Sequence, residues 1–168
     1  GTHRVRAGDR WHGCGERHPA GRHHHLDPGE LTLVVDFAVL ADYALFDQQG
    51  KLSVIGIFRH VVVGGFPAMH PRTHLVLRVR GRRTEVGTHT LRIRFTDPEG
   101  HELVGGEGTV QFGEPPAGVT DVEAAAVLVF DVPLPRPGQY HFEVAVGKEE
   151  PVRVPLSTGS ATPPSGLM

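Results

Sequence analysis

The sequence is poor in several residue types, and each scarcity narrows what the chain can be. Cysteine occurs once, at Cys14, in 168 residues, which rules out an intrachain disulfide framework. Lysine occurs only at Lys51 and Lys148, and tryptophan only at Trp11. No apolar run reaches the length of a transmembrane helix: Asp36 and Asp42 interrupt residues 31–46, and the run 124–130 is far too short. A strong excess of charge of one sign is also lacking. The formal net charge of −2 argues against an overall basic nucleic-acid binder. The sequence contains no G-x-S-x-G elbow, no phosphate-binding loop and no H-E-x-x-H pair, so no catalytic residue and no cofactor are assigned.

Turn-formers are abundant instead. Gly 22 and Pro 14, beside 39% hydrophobic residues, suit an all-β domain with short strands. The histidines are uneven. Six of the twelve fall in residues 1–30, a His-, Arg- and Gly-rich segment with no sustained period. Such a stretch buries too little surface to offset its ordering entropy, so it is expected to be a disordered, extraneous arm. It has no apolar core of a signal peptide, and with one cysteine the expected setting is cytoplasmic. The Ser/Thr/Pro-rich stretch 157–168 reads as a flexible tail. Residues 31–156 are then the folded domain.

Inside those bounds the apolar residues alternate. Leu75, Leu77 and Val79, then Leu91, Ile93 and Phe95, then Tyr140, Phe142, Val144 and Val146, then Val152, Val154 and Leu156 mark half-buried strands. Residues 51–58, 59–63 and 125–134 are more continuously apolar, as strands covered on both sides are. Residues 31–46 predict a strand to about Leu40, followed by an irregular or short helical link through Ala41 and Ala44. Asp47-Gln48-Gln49-Gly50, Asp97-Pro98-Glu99-Gly100 and Pro135–Gly138 supply turns. Gly64-Gly65 and Gly105-Gly106-Glu107-Gly108 read as turns or bulges. The segment Gly138-Gln139-Tyr140-His141-Phe142 has the pattern of a tyrosine corner, in which the hydroxyl bonds nearby backbone and the ring enters the core. The expected fold is a single antiparallel immunoglobulin-like β-sandwich of roughly eight strands.

Two candidate chemistries stand out. Seven of the domain's twelve basic residues lie between Arg72 and Arg94, where Glu85 is the only acid. Arg78, Arg80, Arg92 and Arg94 occupy polar-phase positions of what reads as one hairpin, and so predict one arginine face for an anionic ligand or an acidic protein. Neighbouring strands are expected to answer with Glu107, Asp131 or Glu143. The alternative is a cupin-like metal- or ligand-binding sandwich of enzymatic type centred on His141, loosely suggested by the Pro137-Gly138-Gln139-Tyr140-His141 run. The scattered histidines have no zinc-ligand spacing, so no metal site is assigned. Asp36 and Asp42 read as groups that satisfy backbone at element ends. Phe66, Pro67 and Met69 form an apolar loop that either contributes an interface or covers the end of the sandwich.

The run Asp36 to Gly56, DFAVLADYALFDQQGKLSVIG, resembles an uncharacterised bacterial family of domains of unknown function. The Ala41-Asp42-Tyr43-Ala44 and Gly50-Lys51-Leu52-Ser53-Val54-Ile55-Gly56 segments carry the likeness. It extends more weakly through residues 67–71, the Asp97 turn and the Tyr140 corner. The resemblance implies a small, single β-rich domain and supplies no site. A non-enzymatic binding module is the expected function, with another protein or an anionic ligand as partner.

Overall fold

The computed structural model describes residues 33–161. The 1–30 arm and the 162–168 part of the expected tail therefore lie outside the described residues. Nine strands follow in order: β1 (Val34–Phe46), β2 (Leu52–Phe58), β3 (His60–Val63), β4 (Ala68–Arg82), β5 (Gly87–Thr96), β6 (Glu102–Phe112), β7 (Asp121–Leu134), β8 (Gly138–Val146) and β9 (Val152–Ser160). They form two sheets, β2-β1-β4-β7 and β3-β9-β8-β5-β6. Every pairing is antiparallel except β3 with β9. The architecture is a β-sandwich, as the alternation requires. No helix among the described residues is long and apolar enough to cross a membrane.

The turns behave as their residues dictate. The Asp47 carboxylate accepts the N–H groups of Gln49 and Lys51 at 2.8 and 2.9 Å, and Gly50 takes φ +78°. Asp97 does the same for Glu99 and His101. The passage from β4 to β5 is different, because it changes sheet. A short 3-10 helix, Arg83–Glu85, makes the crossing. The Arg83 N–H donates to Thr120 O, while its guanidinium donates to the carbonyls of Pro116 and Val119 and to Glu114.

One phase of each long strand fills the space between the sheets. Leu75, Leu77 and Val79 of β4 meet Leu91, Ile93 and Phe95 of β5, with Tyr140, Phe142, Val144 and Val146 of β8 and Val154 and Leu156 of β9. Each fully buried side chain of this kind contributes about 1.5–3 kcal/mol, so this phase decides the register. Tyr140 stacks on Phe95 with ring centroids 5.4 Å apart. Its hydroxyl donates to Arg136 O at 2.6 Å and accepts the Arg136 N–H at 3.2 Å, which is the corner geometry expected.

Several expectations are corrected. β1 runs unbroken to Phe46, because Ala41 and Ala44 are small residues packed with Val76 in a second buried cluster, not a helical turn. Residues 157–160 belong to β9 and not to a tail: Ser157 and Thr158 pair with β3 on one side and β8 on the other. The Gly105-Gly106-Glu107-Gly108 run lies within strand β6, opposite β5, rather than in a turn. The continuously apolar segments are not covered on both sides. Ile55 and Ile57 of β2 are 58% and 61% exposed, and Val129 of β7 is 50% exposed, because β2 and β7 are the edges of the first sheet.

Replacing Tyr140 by Phe keeps the stacked ring and strands the buried corner groups. A loss of about 1–3 kcal/mol in urea unfolding is expected.

Candidate functional site

The four arginines do not share a face. Arg78 and Arg80 belong to β4 in the first sheet, Arg92 and Arg94 to β5 in the second. All four are on outward phases, so the crossing at Arg83–Glu85 sends the two pairs to opposite sides of the sandwich. The two strands do not form one hairpin, because period two gives the phase of a residue but not the sheet it joins. Three of the four are also neutralised. Arg78 is bonded to Glu123, Arg80 lies 3.3 Å from Asp36, and Arg94 reaches Glu102 at 2.9 Å and Glu143 at 3.2 Å. The bond and charge of Glu123 push the Arg78 guanidinium above its ordinary value.

Of the expected counter-acids, Glu143 does pair with Arg94. Glu107 is the register partner of Arg92 but forms no ion pair with it, and Asp131 instead accepts the Arg72 N–H at 3.0 Å. Asp36 is a partner of Arg80 and not a backbone cap. Of the four, Arg92 alone keeps an unpaired guanidinium, above a shallow groove of about 590 Å³ floored by Gly105 and Gly106 and lined by Glu102, Glu107 and Glu143. With three acids against Arg92 and Arg94, this groove does not concentrate anions.

His141 is half-buried on β8, across from Thr96 and Pro155. Burial, aided by the charge of Arg153, holds its imidazole below the ordinary value. It joins no cluster of three potential metal ligands among the described residues. The cluster found among the described residues is Asp97, Glu99 and His101, on the β5–β6 turn. Arg136 already bridges both of its carboxylates. Burial pushes the Asp97 carboxyl up. The His101 N–H and the charges of His101 and Arg136 outweigh this and hold it below the usual carboxylate range. The cluster is a turn brace: it ties the β5–β6 turn to the corner that Tyr140 closes.

The apolar loop divides. Phe66 packs on the core and Met69 is exposed.

The outer side of the first sheet is the feature that sequence reasoning missed. Ile57, Ala41, His74 and Val129 are successive register partners across β2, β1, β4 and β7. The Tyr43 ring sits edge-on to His74 at 5.4 Å, and Ile55 pairs across from Tyr43. The next row inward is Val39, Val76 and Val127, then Phe37, Arg78 and Ala125. Leu52 and Val54, from the start of β2, pack on the same cluster. Between them and the sheet lies a cleft of about 740 Å³, lined by Phe37, Phe46, Lys51, Leu52, Arg78, Glu123 and Ala125, among others. The signal was present in the sequence, as apolar residues on both phases of β1, β2 and β7.

Replacing Arg78, Arg80, Arg92 and Arg94 together by serine is expected to leave retention on heparin unchanged, since no arginine face exists to lose. The Asp97 carboxyl is depressed on folding, so its contribution is complete above the unfolded value of about 4 and is lost as pH falls through the folded one. Asp97→Asn is expected to lower stability at pH 7 and to flatten the acid limb of a stability-against-pH curve measured by urea unfolding.

Among curated proteins, none matches this chain. A family model described as a family of unknown function, DUF6941, matches residues 36–158, which takes in β1 from Asp36 through nearly all of β9. That span is most of the chain, and the protein belongs to this family of unknown function.

Proposed function

We propose that the domain is a non-enzymatic binding module that engages a partner protein through the outer side of its first sheet. The observation that carries this reading is a group of exposed apolar side chains, Tyr43, Ile55 and Ile57 on the β1–β2 hairpin and Val129 on β7, set around the buried Ala41 and His74. The core is already filled by the opposite phase, so these apolar side chains are not needed to close the sandwich. Exposed apolar side chains gathered on one side of a sheet are characteristic of interaction faces. The arginine positions offer no comparable surface, because they are divided and mostly paired.

The strand connectivity, which we read as immunoglobulin-like, supports the same reading. β4 and β7 pair in one sheet while β5, β8 and β9 pair in the other, β3 runs parallel to β9, and Tyr140 closes a corner. Sandwiches of this connectivity commonly serve as recognition scaffolds, an argument from analogy of fold alone. A cytoplasmic setting is the companion proposal, supported by the single cysteine.

The test is affinity purification from the native host with three baits. The unaltered protein and the Arg78, Arg80, Arg92 and Arg94 serine variant are expected to capture the same partner, and Ile57→Glu with Val129→Glu to lose it. A partner retained by the double glutamate variant, or lost with the arginines, overturns the proposal.

A further inference from the structure

The same outer side carries a second, more enclosed feature. β1 and β2 are joined by the Asp47–Gly50 turn, and the base of β2 leans on the sheet through Leu52 and Val54. The resulting cleft of about 740 Å³ falls within the volume range of small-molecule sites and has both polar and apolar walls. Phe37 and Ala125 come from the sheet, and Phe46, Leu52 and Val54 from the hairpin. Three charged residues line it: Lys51, Arg78 and Glu123.

Those charges are not equivalent. Arg78 and Glu123 are bonded to each other and cancel. Lys51 forms no ion pair among the described residues. The nearest acid along the turn, Asp47, uses its carboxylate to accept the N–H groups of Gln49 and Lys51. The cleft therefore combines apolar walls, about as extensive as its polar ones, with one cation that no acid pairs. Lys51 is one of only two lysines in the sequence.

We infer that this cleft binds a small amphipathic anion. Its apolar body lies on Phe37, Phe46, Leu52, Val54 and Ala125, and its carboxylate or sulfonate group lies at Lys51. The exposed Lys51 ammonium stays hydrated when a neutral ligand binds, so only an anion gains from it, and a larger polar anion cannot use the apolar walls. The site goes beyond the protein-docking reading. It does not use Ile55, Ile57 or Val129, so either can fail without the other.

The probes are anilinonaphthalene sulfonate, followed by fluorescence, and decanoate as its competitor, with decanol as the uncharged control. Saturable one-to-one binding of the sulfonate, displaced by decanoate, is expected. Lys51→Glu should weaken both anions roughly tenfold or more while leaving decanol within about twofold, since it replaces an attracting charge with a repelling one. Ala125→Phe should block all three ligands, with its fold checked by thermal melting. Amide chemical-shift changes on decanoate addition to the unaltered protein should centre on Lys51, Leu52 and Ala125, a readout that needs no variant. The inference is overturned if decanoate does not bind, if Lys51→Glu binds the anions unchanged, or if the shift changes lie elsewhere.

Discussion

The crossing between β4 and β5 is the constraint on which the rest of the structure depends. Residues 83–86 alone separate one long strand from the next, yet they move the chain from one sheet to the other. Arg83 holds the passage with its own N–H and with a guanidinium that gathers two carbonyls and Glu114 from the β6–β7 loop. Gly87, at φ +130°, starts β5 in a backbone region that L side chains rarely adopt. Once β4 and β5 face each other, their apolar phases must meet in the core and their arginines must point away from each other. The inner packing and the division of the outer surface are one event.

The same crossing marks the limit of what could be read from the residues alone. Alternation located the inner phase of β4, β5, β8 and β9 because burial imposes period two on each strand separately. The corner at Tyr140 was legible for a similar reason: its partners lie within four residues. Sheet membership is not local. Whether Arg80 and Arg92 share a face depends on a crossing whose anchors, Pro116 and Val119, lie more than thirty residues downstream of Arg83. Ser157 and Thr158 look like tail residues by composition, yet β3 and β8 supply partners on both sides. Ala41 and Ala44 look helical by propensity, and close packing against Val76 overrides it.

The two edge strands of the first sheet carry apolar residues that stay exposed. An apolar run usually marks a strand covered on both faces, and β2 and β7 have that composition without that cover. Their outer residues divide into two kinds. Leu52, Val54 and Val127 gather around Ala41, Ala44 and Val76, so a second small core grows on the outside of the sheet. Ile55, Ile57 and Val129 lie beyond its reach and stay exposed. An apolar edge strand without charge is normally a pairing hazard. Here Gly56, at φ +69° and seated against Asp42, interrupts the regular backbone of β2 midway between its two exposed isoleucines.

The parallel contact of β3 with β9 has a consequence for the order of assembly. His60 and Ser157 are register partners about a hundred residues apart, so this pairing closes the longest loop of any strand pair described. During synthesis, β1 can find β4 soon after both have emerged. β3 must wait until the final strand is made. Its three consecutive valines, Val61 to Val63, then have no sheet to join for nearly the whole period of translation. Docking of β9 therefore does two things at once: it completes the second sheet, and it buries Val61 while taking up the free backbone groups of a wholly apolar segment of the unfinished chain.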